Sequence, residues 1–356
     1  MAYLTFDKIK ISGISACVPK NIDKISEHTD IFTEEELNQF VKQIGVVERR
    51  FVDNKTCTSD LCYYAAEKLI TEMNIDKNNI DLLIFVSQSF DYYLPATSIL
   101  LQNRLNLSKS TAAFDVNLGC SGYVYGLSVV YSFMQQQCFN KALLLVGDTP
   151  SKLINPKDKI SSLLFGDAGT ATIIEKDDTP DNTLGKSYFS LNSDGAGYKA
   201  IIIHGGAFRN PCSQETLNEV EYEDGNIRRA IDLSMNGPDV FNFTIREVPK
   251  SIKGLLEFAE LSMDDTDYLV YHQANMFINN FLTKKLKYPK EKIPYSLKKF
   301  GNTSSASIPV TIVSELRDEL INSRKRLILS SFGVGLSWAN AIIDINNSYI
   351  TELLEI

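Results

Sequence analysis

The stretch DLLIFVSQS (81–89) has a counterpart far along the chain in DYLVYHQAN (267–275). Each opens on Asp, runs through apolar residues for the length of one strand, and ends on polar ones. A strand this apolar has no face left for water, so it belongs in a sheet covered on both sides. KALLLVG (141–147) and KRLILSS (325–331) form a second pair; the first pair starts 186 residues apart and the second 184. Two pairs at nearly one spacing read as a duplicated unit of about half the chain. GLSWANAIID (335–344) echoes AGTATIIE (168–175) at a shorter offset.

Between these strands lie helical patterns. Residues 58–74 (TSDLCYYAAEKLITEMN) open on Thr-Ser-Asp, a capping signal, and continue with apolar residues at helical spacing. Further helices are expected over 121–138, about 240–261 and about 306–319. Alternation of this kind predicts an α/β fold. The polar stretch EKDDTPDNTLGK (175–186) marks the seam, giving halves 1–178 and 179–356.

Composition agrees. At 356 residues, 44% hydrophobic and 22% charged, the chain can bury a large core and divides into about two domains. A net charge of −8 speaks against a non-specific nucleic-acid binder, and three histidines at scattered positions make no metal cluster. The six cysteines form no CxxC pair. With no apolar leader at the start and no run long enough to span a membrane, a reduced cytoplasmic protein is expected.

Chemistry is most legible around Cys120, in DVNLGCSGYVYGLSVV (115–130). An apolar strand ends just before it, small residues surround it, and a helix starts beside it. The arrangement resembles a nucleophile elbow, and a helix N-terminus is expected to depress the thiol's pKa. His272 follows an apolar strand, where the carboxyl ends of parallel strands build active sites, with Asn275 three residues on. Asn302 lies in KFGNTSSASIPV (299–310), ahead of a helix. In SSFGVGLSWAN (330–340), Val334 stands between two glycines, where backbone N–H groups can meet a ligand oxygen. A cysteine, a histidine and an asparagine at strand ends equip a site for covalent thioester chemistry.

The chain resembles the β-ketoacyl-acyl-carrier-protein synthase III group of the thiolase superfamily. The matching motifs are GCSG around Cys120, FGDAGTA (165–171), SDGAG (193–197), HQAN (272–275), GNTSSASIP (301–309) and FGVGLSW (332–338), in the family's order. The resemblance implies a thiolase-like five-layered αβαβα fold from two duplicated halves, and a homodimer joined through the N-terminal halves. It implies that a primer acylates Cys120 and that His272 and Asn302 polarise a malonyl-carrier thioester as CO2 leaves. The backbone N–H groups of Cys120 and Val334 would form a second oxyanion hole. No cofactor is implied; acyl-CoA and acyl-carrier protein are substrates, and the carrier protein is the partner. A second active-site cysteine, as in biosynthetic thiolases, is absent from FGVG. The loop 87–98 offers Asp91 rather than the glutamate of hydroxymethylglutaryl-CoA synthases.

Departures from the family pattern fall at the entrance. The Trp and Arg that clamp CoA in typical members become Gln39 and Gln43, the Arg beyond HQAN becomes Phe277, and the Lys after GPDVF becomes Asn242. Gln43, Asn242 and Phe277, with Asn275 and Leu94, are the expected substrate contacts, and the changes at Gln39, Gln43, Phe277 and Asn242 weaken the case for acetyl-CoA priming. Seven lysines between Lys284 and Lys299 offer a substitute docking patch for an acidic carrier. Leu94 matches a position where the partner subunit closes the acyl pocket, often with Phe. Rival readings are an acyltransferase without condensation, a non-catalytic ketosynthase-like partner subunit, and a cysteine hydrolase.

Overall fold

The computed structural model describes residues 2–177, 185–223, 225–321 and 323–356. The expected seam at 178/179 lies outside the described residues. Two mixed sheets carry the fold. In the first, strands Ile9–Val18, Ala168–Lys176, Lys141–Asp148, Leu82–Val86 and Ala112–Val116 lie side by side in that order. In the second the order is Ser187–Ser193, Ser337–Ile345, Lys325–Gly333 and Tyr268–Tyr271. The second order repeats the first up to its last member, and the parallel and antiparallel pairings also match.

The missing member has a local cause. Where the counterpart of Ala112–Val116 would run, the chain forms a short helix, Leu297–Phe300, and then Gly301 at φ 63°. An ideal Cβ on Gly301 would sit 2.7 Å from the Leu164 carbonyl oxygen, so only glycine fits. Asn302 beyond it makes a single bridge to Phe165. The shorter offset of the last strand pair is also explained. Residues 149–167 separate the antiparallel strands in the first sheet, whereas Val334–Leu336 make a tight turn in the second.

LLIFV at 82–86 shows how the layers arise. Leu82, Ile84 and Val86 face one core, Leu83 and Phe85 another, and all five are buried. The first core is the central one. There the helices Gly122–Met134 and Ser307–Glu315 lie between the sheets, touched by Leu144 and Val146 from one side and by Val270 and Leu329 from the other. Outside the first sheet packs Thr58–Glu72, through Leu61, Ala65 and Leu69. Outside the second pack Gly237–Phe258 and Met276–Leu286. The layers are therefore αβαβα. No helix among the described residues is long and apolar enough to cross a membrane.

The termini cross between sheets. Ala2–Phe6 pairs with Ser187–Ser193 in the second sheet. Tyr349–Ile350 and Leu354–Glu355 pair with Ile9–Val18 in the first.

Several helix expectations shift. The helix expected at 121–138 begins at Gly122 and ends at Met134. The one expected at 306–319 breaks at Leu316 into Ser307–Glu315 and Arg317–Leu320. Thr58, Ser59 and Asp60 do not precede their helix but form its first turn, with Cys57 as the cap residue. The Asp60 carboxylate reaches back to the Cys57 N–H at 2.7 Å. The two hydroxyls are drawn instead to polar partners, Thr58 to Ser89 at 2.8 Å and Ser59 to Asp91 at 2.7 Å.

Candidate active site

Cys120, His272, Asn302 and Val334 line one cavity of about 400 Å³. Cys120 sits in the turn between Ala112–Val116 and Gly122–Met134, and the Ser121 hydroxyl at the head of that helix bonds the Ser337 hydroxyl at 2.7 Å. His272 follows Tyr268–Tyr271 directly, and its N–H donates to Ser330 at 2.8 Å, which extends the ladder by one residue. Both residues thus occupy carboxyl ends of parallel strands. Asn302 arrives from the segment that replaces the missing strand.

The backbone of Gly333 and Val334 comes very close to the thiol. A Cβ on Gly333 would lie 2.5 Å from the Cys120 Cβ and 2.9 Å from its Sγ. Glycine therefore lets the Val334 N–H reach the sulfur, where it favours the thiolate. The Ser304 hydroxyl is 4.0 Å from the Sγ on another side. Residue 304 is also where backbone strain collects, at φ 49°; Cys120 itself is not in the left-handed region.

The expected depression of the Cys120 pKa is reversed. Burial pushes the thiol up to about 11, against the pull of the Val334 N–H, the Ser304 hydroxyl and its own N–H. The sulfur lies before the helix begins, on the cavity wall, and desolvation outweighs the donors around it. Near pH 7 Cys120 rests as a thiol.

His272 is 2% exposed, and burial pushes its pKa down to about 3 against a hydrogen bond with the Ser304 backbone. It is a neutral imidazole near pH 7. Its Nδ1 lies 2.7 Å from the Ser307 hydroxyl, and the Phe332 ring meets it edge-on. The Asn302 carbonyl oxygen accepts the Ser304 N–H at 2.9 Å, and its amide nitrogen donates to Ala274 at 3.4 Å. With its oxygen committed, Asn302 offers N–H to the cavity. A neutral imidazole and a carboxamide suit a developing oxyanion, because fixed donors stabilise it without reorganising.

The expected entrance residues lie apart from this group. Asn275 lines the cavity, yet its side chain also caps Met276–Leu286 by accepting the Ile278 N–H at 2.7 Å. Gln43 and Asn242 are exposed and outside the cavity wall. Phe277 is 57% exposed and stacks on Phe241 at 5.3 Å. Leu94 is 86% exposed, whereas Phe90 of the same loop reaches the wall. Of the lysines, Lys285 bonds the Ile245 carbonyl and Lys292 the Thr266 carbonyl.

Other wall residues escaped the sequence reading. Ile201–Ile203 pairs with Leu233–Met235 and supplies an apolar side. A run of three isoleucines was the available signal, masked by glycine-rich neighbours. Gln88, Asn117 and Asp148 are polar residues on the same wall, each at or just past the carboxyl end of a strand.

The chain is similar over nearly its whole length to known proteins. Residues 114–195 match the family model for 3-oxoacyl-[acyl-carrier-protein] synthase III, and residues 256–345 match the model for its C-terminal part. A Campylobacter jejuni protein is 36% identical over 98% of this chain and 97% of its own length. The β-ketoacyl-[acyl-carrier-protein] synthase III of Clostridioides difficile is 33% identical, covering 94% of this chain and 98% of its own. The crystal structure of a 3-oxoacyl-(acyl-carrier protein) synthase from Burkholderia xenovorans superposes with a TM-score of 0.93 at 37% identity, over 100% of this chain and 99% of that one.

Proposed function

The chain belongs to the 3-oxoacyl-[acyl-carrier-protein] synthase III family, and on that premise we propose how its residues carry the reaction. It is a β-ketoacyl-acyl-carrier-protein synthase III condensing enzyme, an acyltransferase of fatty-acid biosynthesis.

In the proposed cycle the Cys120 sulfur attacks the primer's thioester carbonyl, and the primer's carrier thiol leaves with the proton. Malonyl-carrier protein then enters. Its carboxylate departs as CO2, and the electron pair of the broken C–C bond forms an enolate. The enolate oxygen takes hydrogen bonds from His272 and Asn302. Its carbon attacks acyl-Cys120, and the N–H groups of Cys120 and Val334 hold the tetrahedral oxyanion. Collapse expels the Cys120 thiolate, which takes a proton from solvent to become the thiol again, and releases a 3-oxoacyl-carrier protein. The observation that carries this reading is the convergence of Cys120, neutral His272 and oxygen-committed Asn302 on one cavity.

The acyl-carrier protein is the partner. The loop carrying Phe90, Tyr92, Tyr93 and Leu94 presents exposed apolar side chains, which supports a homodimer in which Leu94 closes the neighbouring subunit's primer pocket. Six free cysteines support a reduced, cytoplasmic setting.

The test is intact-mass measurement after incubation with acyl-CoA and acyl-carrier thioesters, paired with CO2 release from malonyl-carrier protein. An adduct on Cys120, with CO2 release lost in Asn302→Ala, is the expected result. An adduct without CO2 release in the wild type would leave simple acyl transfer instead. No adduct from any donor would leave the non-catalytic subunit.

A further inference from the structure

Asp148 is a carboxylate that the reaction above does not use. It ends the strand Lys141–Asp148, is 3% exposed, and lines the cavity with Cys120. An anion there works against the nucleophile, since it favours the protonated thiol. Its hydrogen bonds show what it supplies in return. One carboxylate oxygen accepts the Gln88 N–H at 2.8 Å, the Ser87 hydroxyl at 3.1 Å and the Ser89 hydroxyl at 3.2 Å. The other accepts the Ser305 hydroxyl at 2.7 Å and the Ser305 N–H at 3.2 Å. The first three donors follow Leu82–Val86 in the sheet that leads to Cys120. The last two belong to the segment that carries Asn302, in the second repeat.

That segment needs an anchor. It stands where a strand is missing, with Gly301 and Ser304 both at positive φ. Charge-assisted hydrogen bonds are about twice as strong as neutral ones, so a carboxylate is suited to the task.

We propose that Asp148 is a positioning residue that clamps the Asn302–Ser305 segment to the nucleophile's side of the cavity and so fixes the Asn302 amide relative to Cys120. The inference rests on the condensing roles proposed for those two residues. Asparagine cannot replace Asp148, because its amide nitrogen would face either the Gln88 N–H or the Ser305 N–H, donor against donor. Around the Cys120 thiol, Asp148 is the charged group acting on it; the Val334 N–H and the Ser304 hydroxyl favour the thiolate, and His272 is neutral. Removing the charge therefore moves thiolate formation to lower pH.

Two variants separate the clamp from the charge. Asp148→Asn is expected to lower kcat for malonyl-carrier decarboxylation about 10- to 100-fold with KM little changed. The pH profile of Cys120 alkylation by iodoacetamide should shift to lower pH. Ser305→Ala keeps the charge and loses one donor. It should lower kcat about three- to tenfold with the alkylation profile unmoved. Amide hydrogen exchange over residues 302–306 should quicken in both. That readout needs no substrate, so it tests the clamp even if the wild type fails to decarboxylate and the condensing role falls. Unchanged exchange in both variants, or wild-type decarboxylation by Asp148→Asn, would overturn the proposal.

Discussion

Gly333 shows how much chemistry can depend on a missing side chain. Its Cβ would fall inside the contact distance of Cys120. Gly333→Ala must therefore push Val334 away from the sulfur and with it the N–H that favours the thiolate. Acylation of Cys120, followed by intact mass, should slow by about 100-fold. Wild-type acylation in this variant would show that the close approach is dispensable. At this scale the sequence displayed Cys120 and His272, because each follows an apolar run, and Asn302, because it stands in a segment of small hydroxyl residues ahead of a helix. It hid Asp148, Gln88 and Asn117, since a polar residue ending a strand looks ordinary until the fold turns it toward a cavity. It also misled on the Cys120 pKa. The position of a helix start can be read from residues, but the depth of the sulfur cannot, and depth decides the sign.

Among elements, strands were easier to read than helix ends. An apolar run such as LLIFV declares itself, and its alternate residues serve two cores. Helix ends depend on partners far away in sequence. Thr58 and Ser59 look like caps but bond to residues 89 and 91, which leaves Asp60 to hold the first turn. Asp60→Ala should cost about 1 kcal/mol, measured as a lower urea midpoint with an unchanged slope. Asp60 also pairs with Arg104 at 2.8 Å, so a cost well below that would mean neither contact contributes. The missing counterpart of Ala112–Val116 in the second sheet was the hardest element to foresee. In its place the chain turns through Gly301, whose φ and close carbonyl neighbour only the folded chain reveals.

For the whole molecule, the duplicated spacing of 186 and 184 residues foretold the repeated strand order. It did not foretell the exchange of terminal strands, because short segments such as AYLTF and LE carry too little pattern to name their neighbours. The exchange ties the last residues to the first sheet. Glu355 pairs with Arg50 at 3.0 Å, and Ile356 exchanges hydrogen bonds with Lys20 at 2.7 Å and Val18 at 3.1 Å. Removing residues 352–356 should lower the thermal midpoint by several degrees, at about 2–4 °C per kcal/mol lost. An unchanged midpoint would mean these strands are ornamental.

The same exchange constrains how the protein is made. Residues 9–18 leave the ribosome long before the strands at 349–355 that flank them on one side. Until then the first sheet holds an open edge, the kind of surface that recruits stray chains. Nor could a gene split between residues 176 and 187 yield two self-sufficient polypeptides, since each would lack a strand encoded by the other.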